Sequence, residues 1–269
     1  MPTVACRFLA GLASRQGCLA TAPQRRGKGG RKCVSAQAKA APPDSGAVRG
    51  VIKRHATLTA PPLLPGVKMY LTPNVMEVWE DMEEEVGGGG QIPPPYWAVC
   101  WPGGQALARH LQEHPELVRG KRVLNVGAGC AVESLVAAKL GAKEAVANDI
   151  DPIAGIAIEM NTEANGVEGL VSLLIGDVLE APTSGWDVVM AGDVCFEKGT
   201  ADRMLAWLGD CAAGGAVALL GDPTSGRKFS PPVGREGLPL VRVGTYRVET
   251  DPNPLVEGAG EREVAIWMW

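Results

Sequence analysis

The chain has 269 residues, 46% of them hydrophobic and 21% charged, with a formal net charge of −4. That balance matches a soluble globular protein, and no apolar run approaches the roughly 18–20 residues of a membrane-spanning helix. The charge is uneven: eight of the 26 Lys and Arg precede Pro43 and the first acid is Asp44, so 18 bases face 30 acids beyond that point. An acidic body is a poor partner for phosphate backbones and suits a basic protein surface, so nucleic acid is not an expected partner.

Residues 1–43 are rich in Ala, Arg, Gly and Ser and open with a short amphipathic stretch from Met1 to Leu19. This composition predicts a disordered organelle transit peptide. Arg7 and Arg15 interrupt the apolar portion, which argues against a secretory signal; a disordered basic tail is the alternative. The Val34-Ser35-Ala36 triplet resembles a processing site of algal plastid precursors, so mitochondrion and plastid both stay open.

Residues 44–94 read as an irregular segment. They contain a strand-like Lys68–Leu71, an acidic helical run from Val75 to Val86, and a flexible hinge at Gly87–Gly90. From residue 95 the pattern becomes regular. Gln105 to Glu113 predicts a helix with Leu107 and Leu111 on one face, and Arg122 to Val126 an apolar strand running into Gly127. Glu133 to Leu140 is a helix ended by Gly141, Glu144 to Ala147 a strand, and a helix then runs through Asn161. Further strands fall at Val171–Ile175, Trp186–Ala191 and Ala216–Leu220, with a helix at Ala201–Cys211 joining the last two.

Strands alternating with helices predict an α/β fold with a mostly parallel sheet and helices on both faces. Leu240–Glu249 and Glu263–Trp269 then follow one another with no helix between them, which predicts an antiparallel hairpin added to the sheet edge. The outline is a Rossmann-like seven-strand methyltransferase sheet rather than a nicotinamide-binding half.

The turn Asn125-Val126-Gly127-Ala128-Gly129-Cys130-Ala131 is the candidate ligand site. Gly127 and Gly129 allow a sharp bend and close approach of backbone to ligand, and the next helix offers free N–H groups. Asp149 follows at the spacing of a ribose-binding acid. Val132 occupies the third glycine of a dinucleotide motif, which favours a nucleoside without pyrophosphate. Asp177, just after the third strand, stands where an adenine amino group is met, or is a solvated loop acid. Asp193 follows the fourth strand at the sheet's carboxyl edge, or caps the helix before Glu197. The seven cysteines are scattered with no C-x-x-C pair, so no metal or disulfide framework is expected.

Three runs carry a resemblance: PYWAVCWPGGQALARHL from Pro95 to Leu111, RGKRVLNVGAGC, and ANDIDPIAGIAIEMN from Ala147 to Asn161. With GDVCF at Gly192–Phe196 and GDP at Gly221–Pro223, they resemble the electron transfer flavoprotein β-subunit lysine methyltransferases, a branch of the seven-strand protein lysine methyltransferases. The resemblance implies that residues 95–269 form a methyltransferase domain. It implies S-adenosyl-L-methionine as cofactor, the β subunit of a mitochondrial electron carrier as protein substrate, and the mitochondrial matrix as compartment. It further implies that Trp101 packs at the cofactor, Gly127 and Gly129 form its loop, and Asp149 holds its ribose. Asp193 and Phe196 match an acid-x-x-aromatic element near the target lysine; the expectation is that Asp193 orients the amine while Phe196 and Trp101 exclude water.

Two departures stand out: Asn125 where the family usually has Asp, and Ala131 where it usually has Gly. Asn125 loses a negative charge near the cofactor's ammonium, and Ala131 adds a methyl where backbone and ligand approach. The GDVCFEK stretch is also less aromatic than the family version. A methyltransferase of another acceptor, and a non-catalytic binding protein that keeps the fold, are the alternatives.

Overall fold

A computed structural model describes residues 43–87, 92–226, 228–231, 237–250 and 260–269. The predicted transit peptide, but for Pro43, lies outside the described residues, as do the hinge glycines after Gly87 and the loop between the two terminal strands.

Helix α1 spans Ser45–His55, strands β1 and β2 are Thr57–Thr59 and Met69–Leu71, and α2 is Val75–Glu85. The segment expected to be irregular is therefore largely regular. Gly46 and Gly50 each disfavour helix by roughly 1 kcal/mol relative to Ala, which hides α1 in the sequence. Tertiary packing overrides them: Asp44 caps the first turn through the Gly46 and Ala47 N–H groups, and Val48, Val51 and Ile52 are buried.

Helix α3 (Pro102–Glu113) starts three residues before its predicted start, with Pro102 at its first position, where a missing N–H costs nothing. Strand β3 (Arg122–Val126), α4 (Val132–Lys139), β4 (Glu144–Asp149) and α5 (Pro152–Asn165) follow. After them come β5 (Val171–Ile175), β6 (Val188–Gly192), α6 (Lys198–Ala213), β7 (Val217–Pro223), β8 (Val241–Thr250) and β9 (Gly260–Met268). Strand β4 runs two residues beyond its expected end, so Asp149 is its last residue.

The seven strands lie in the order β5-β4-β3-β6-β7-β9-β8. The first five are parallel, and β9 pairs antiparallel with β7 and with β8. The final strand thus inserts beside β7 and leaves β8 at the edge. Three apolar clusters hold the layers. One joins α3 and α4 to the sheet through Leu107, Leu111, Leu135, Met190 and Ile266. A second places α6 on the opposite face through Leu124, Val189, Leu205 and Leu208. A third packs α1 and α2 against α5. Each fully buried leucine contributes about 1.5–3 kcal/mol.

The chain moves outward from β3 to β4 and β5, then crosses back to β6 on the other side of β3. A crevice opens outside the carboxyl ends of the strands at such a reversal. The glycine turn after β3, Asp149 at the end of β4 and Asp193 after β6 all stand there.

Candidate functional site

The glycine turn is held in shape by β4. Gly127 and Gly129 have φ of 64° and 51°, a left-handed backbone that glycine adopts without strain. The Ala128 N–H donates to the Asn148 carbonyl at 2.8 Å. The Gly129 N–H donates to one oxygen of Asp149 at 2.9 Å, and the Asp151 N–H donates to the other at 3.0 Å. One carboxylate therefore fixes two consecutive ligand-facing turns. Burial raises the Asp149 pKa, with the backbone N–H groups acting in the opposite direction. Asp151 caps α5 through the Ile153 N–H, and burial pushes its carboxyl to about 6. Between these acids Ile150 is 73% exposed, an apolar surface beside a candidate sugar-binding acid.

The β6 end is built from more distant pieces. Asp193 is buried, has φ of 56°, and donates its N–H to the Gly221 carbonyl at 2.9 Å. Its carboxylate accepts the Gly103 N–H. Trp101 precedes α3 and gives it no side-chain cap, so an acid from β6 satisfies a first-turn donor that the local sequence leaves open. A Cβ on Gly103 would collide with the Gly221 carbonyl and the Asp193 carboxylate. The glycine of WPGG and the glycine of GDP are thus required by one backbone contact.

Aromatic side chains border the same region. The Trp101 indole N–H donates to the Tyr96 carbonyl at 2.9 Å. The Tyr96 ring lies 6.0 Å from that of Trp101 and 5.9 Å from that of Phe196. Phe196 is 49% exposed. A Cβ on Gly127 would stand 3.4 Å from Val194, and one on Gly129 would stand 3.8 Å from the Tyr96 carbonyl. The glycine turn is thereby flanked by the aromatic segment before α3 and by the Asp193–Phe196 segment.

The predicted residues Trp101, Gly127, Gly129, Asp149, Asp193 and Phe196 are brought together. Asp177 has a partner on α6, and Asn125 lies beside Glu133. Asp177 accepts the Leu179 N–H and pairs with Arg203 at 2.6 Å, which gives its carboxylate a structural partner on α6. Asn125 is fully buried, on the α3/α4 side of the sheet, and its amide lies near the Glu133 carboxylate without a well-formed hydrogen bond to any described residue. The helix after β6 is capped by Glu197, not by Asp193. Ala131 takes a left-handed φ of 63°, and its methyl packs with Ala128, Ala147 and Ile158. The expected methyl at the ligand is instead a methyl in the core.

Sequence reasoning missed Tyr96, Ile150 and Glu133. The signal for Ile150 was an exposed turn holding an apolar residue between two acids. The signal for Glu133 was one acid in the otherwise uncharged stretch from Leu124 to Ala138. Glu133 is 4% exposed, and burial raises its carboxyl to about 7.

The electron transfer flavoprotein beta subunit lysine methyltransferase of Xenopus laevis is 35% identical to this chain over 195 residues, 72% of this chain and 77% of that protein. This chain belongs to that family. The family member of the same name from Danio rerio is 37% identical over 174 residues, 64% of this chain and 66% of that protein. The family model described as ribosomal protein L11 methyltransferase (PrmA) matches residues 108–193, from within α3 to Asp193. Among solved structures, a ribosomal protein L11 methylase from Lactobacillus delbrueckii subsp. bulgaricus aligns with a TM-score of 0.43 at 19% identity, over 61% of this chain and 77% of that one.

Proposed function

We propose that this chain is an S-adenosylmethionine-dependent protein-lysine methyltransferase whose acceptor is the electron transfer flavoprotein β subunit, and that it works in an organelle. The mitochondrial matrix is the compartment consistent with that acceptor, and the basic, acid-free leader is consistent with import. The observation that carries the reading is the Asp149 carboxylate at the switch point, which ties down both the glycine turn and the start of α5.

The residues fit the cofactor. Asp149 is half-buried and keeps acceptor capacity for ribose hydroxyls, and Ile150 offers an apolar face for a purine. Gly127 and Gly129 let the backbone approach closely. The bound cofactor supplies a methyl group on a sulfonium, already reactive toward an amine. The protein's task is then orientation and exclusion of water.

A lysine has a reference pKa of roughly 10.4 and reacts only after losing a proton. Tyr96, Trp101 and Phe196 border the acceptor side and lower the local polarity, which favours the neutral amine. Asp193 orients that amine, held rigid by the Gly103 N–H and by its own N–H on Gly221. The acidic body beyond Pro43 suits a basic acceptor surface.

Incubating the purified chain with cofactor and the flavoprotein β subunit, and reading the intact mass of the subunit, tests this reading. Additions in steps of one methyl group at lysine support it. Methylation of other proteins in an organelle extract, with the flavoprotein subunit untouched, overturns the acceptor. Absence of S-adenosylhomocysteine binding overturns the reaction class.

A further inference from the structure

Glu133 occupies the first turn of α4, immediately after the glycine turn. Its carboxylate fills the junction of three elements. A Cβ on Gly104 of α3 would stand 3.2 Å from it, and a Cβ on Gly192 of β6 would stand 2.8 Å from it. Glycine at both positions leaves room for the acid.

Among the described residues, the groups that face this carboxylate are Asp193 after β6, Asn125 on β3, and the buried thiol of Cys100, which lies against Cys130. None of them is a cation. Asp193 disfavours charge on Glu133; Asn125 favours it weakly. A cation brought beside a buried acid placed this way favours its charged form. Asn125 gives a second sign. It is fully buried, and its amide lies close to the Glu133 carboxylate without a well-formed hydrogen bond to any described residue, where buried amides are almost always paired.

We propose that Glu133 is the residue that binds the α-ammonium of the cofactor's methionine tail, with the Asn125 amide completing the floor of that subsite. The charge missing at position 125 is thereby supplied from the first turn of α4. This inference rests on the cofactor reading of the preceding subsection and adds the residue that selects the ammonium-bearing tail. The ligand chemistry is a primary ammonium next to a nucleoside, and the Glu133 carboxylate makes the subsite selective for a cation.

The test uses the full chain and two probes in calorimetry. S-adenosylhomocysteine carries the amino-acid tail; 5′-methylthioadenosine has the same nucleoside and lacks it. In Glu133→Gln, affinity for the first falls roughly ten- to hundredfold, the weight of a charge-assisted hydrogen bond, while affinity for the second stays within about twofold of the parent. At pH 6 the parent releases a proton on binding S-adenosylhomocysteine, seen as a dependence of heat on buffer ionisation, and Glu133→Gln does not. The double variant Asn125→Asp/Glu133→Gln returns the charge to the strand end and recovers most of the lost affinity.

Unchanged affinity for S-adenosylhomocysteine in Glu133→Gln overturns the assignment. So does an equal loss for both probes, which is the signature of a merely structural acid. No recovery in the double variant overturns the charge argument. A parent chain that binds 5′-methylthioadenosine but not S-adenosylhomocysteine sinks this inference and spares the nucleoside site; a parent that binds neither sinks both.

Discussion

The two ends of the site solve the problem of burying acids in different ways. At the β4 end, Asp149 is half-buried and its oxygens accept the Gly129 and Asp151 N–H groups. The acid is stabilised by one backbone donor two residues on and another from the glycine turn 20 residues back, and it shapes the protein through both. At the β6 end, Glu133, Asn125 and Asp193 meet from α4, β3 and the loop after β6, and among the described residues no cation faces Glu133. The first end is preorganised by the chain itself. The second gathers acids from separate elements, where burial and the neighbouring Asp193 disfavour charge on Glu133.

The largest effect belongs to the β4 end. Asp149→Ala removes both the acceptor for the glycine turn and the expected sugar contact, and S-adenosylhomocysteine affinity should fall by at least about a hundredfold. Thermal unfolding of the unliganded variant should also report a loss of roughly 2 kcal/mol from the two orphaned N–H groups. If the variant binds normally, or unfolds at the parental temperature, the claim that this end is preorganised by Asp149 fails.

Next is Gly103→Ala, which probes the clamp at the β6 end. Its methyl would collide with the Gly221 carbonyl and the Asp193 carboxylate. The Gly221 carbonyl and the nearby Asp193 nitrogen are backbone and cannot swing away, so α3 must shift. Overpacking of this kind costs about 1–3 kcal/mol, and the Asp193 contact is lost with it. Chemical denaturation should show the destabilisation, and turnover should fall more than cofactor affinity does, because the disturbed acid lies on the acceptor side. An equal fall in both would mean that α3 positions the cofactor and not the acceptor.

A third effect sharpens the contrast through pH. Glu133 rises from an ordinary 4.5 to about 7 on folding because it is desolvated. A raised acid contributes stability that is present below pH 4.5 and lost as pH climbs through 7. The full loss from this shift is of order 3 kcal/mol. Glu133→Gln should therefore gain stability on the parent between pH 5 and pH 8, measured as a difference in melting temperature. Asp149 and Asp151 are also raised, but they are common to both proteins and cancel in the difference. The same gain should shrink when S-adenosylhomocysteine is present. A pH-independent difference would remove Glu133 from the list of buried titrating groups.

What the sequence reveals follows the same division. Asp149 is legible because its role is local: a strand, a glycine turn and an acid at fixed spacing. The parallel strands and the terminal hairpin are legible because apolar periodicity and the missing last helix are written in consecutive residues. Asp193 is legible as an acid at the carboxyl edge, but not as the donor's partner for α3, since Gly103 lies 90 residues away. Glu133 escapes because its helix pattern signals core packing, and only the glycines at 104 and 192 make room for a carboxylate. Helix α1 escapes because Gly46 and Gly50 argue against it, and only burial of Val48, Val51 and Ile52 decides otherwise.

The smallest effect concerns Ala131, where sequence and structure give opposite expectations. Read from the motif, its methyl intrudes on the ligand, so Ala131→Gly should tighten cofactor binding. In the fold the methyl lies in a core cluster with Ala128, Ala147 and Ile158, while the backbone holds a left-handed φ of 63°. Relief of that strain is worth about 1–2 kcal/mol. Against it stand loss of a buried methyl, about 0.8 kcal/mol, and the greater freedom of an unfolded glycine, about 0.4–1 kcal/mol. The terms nearly cancel, so stability should change by less than about 1 kcal/mol, and S-adenosylhomocysteine affinity should stay within about twofold of the parent. A marked gain in affinity would restore the ligand-facing methyl and weaken the case that the chain's departures from its family are absorbed in the core at Ala131 and compensated by Glu133 at Asn125.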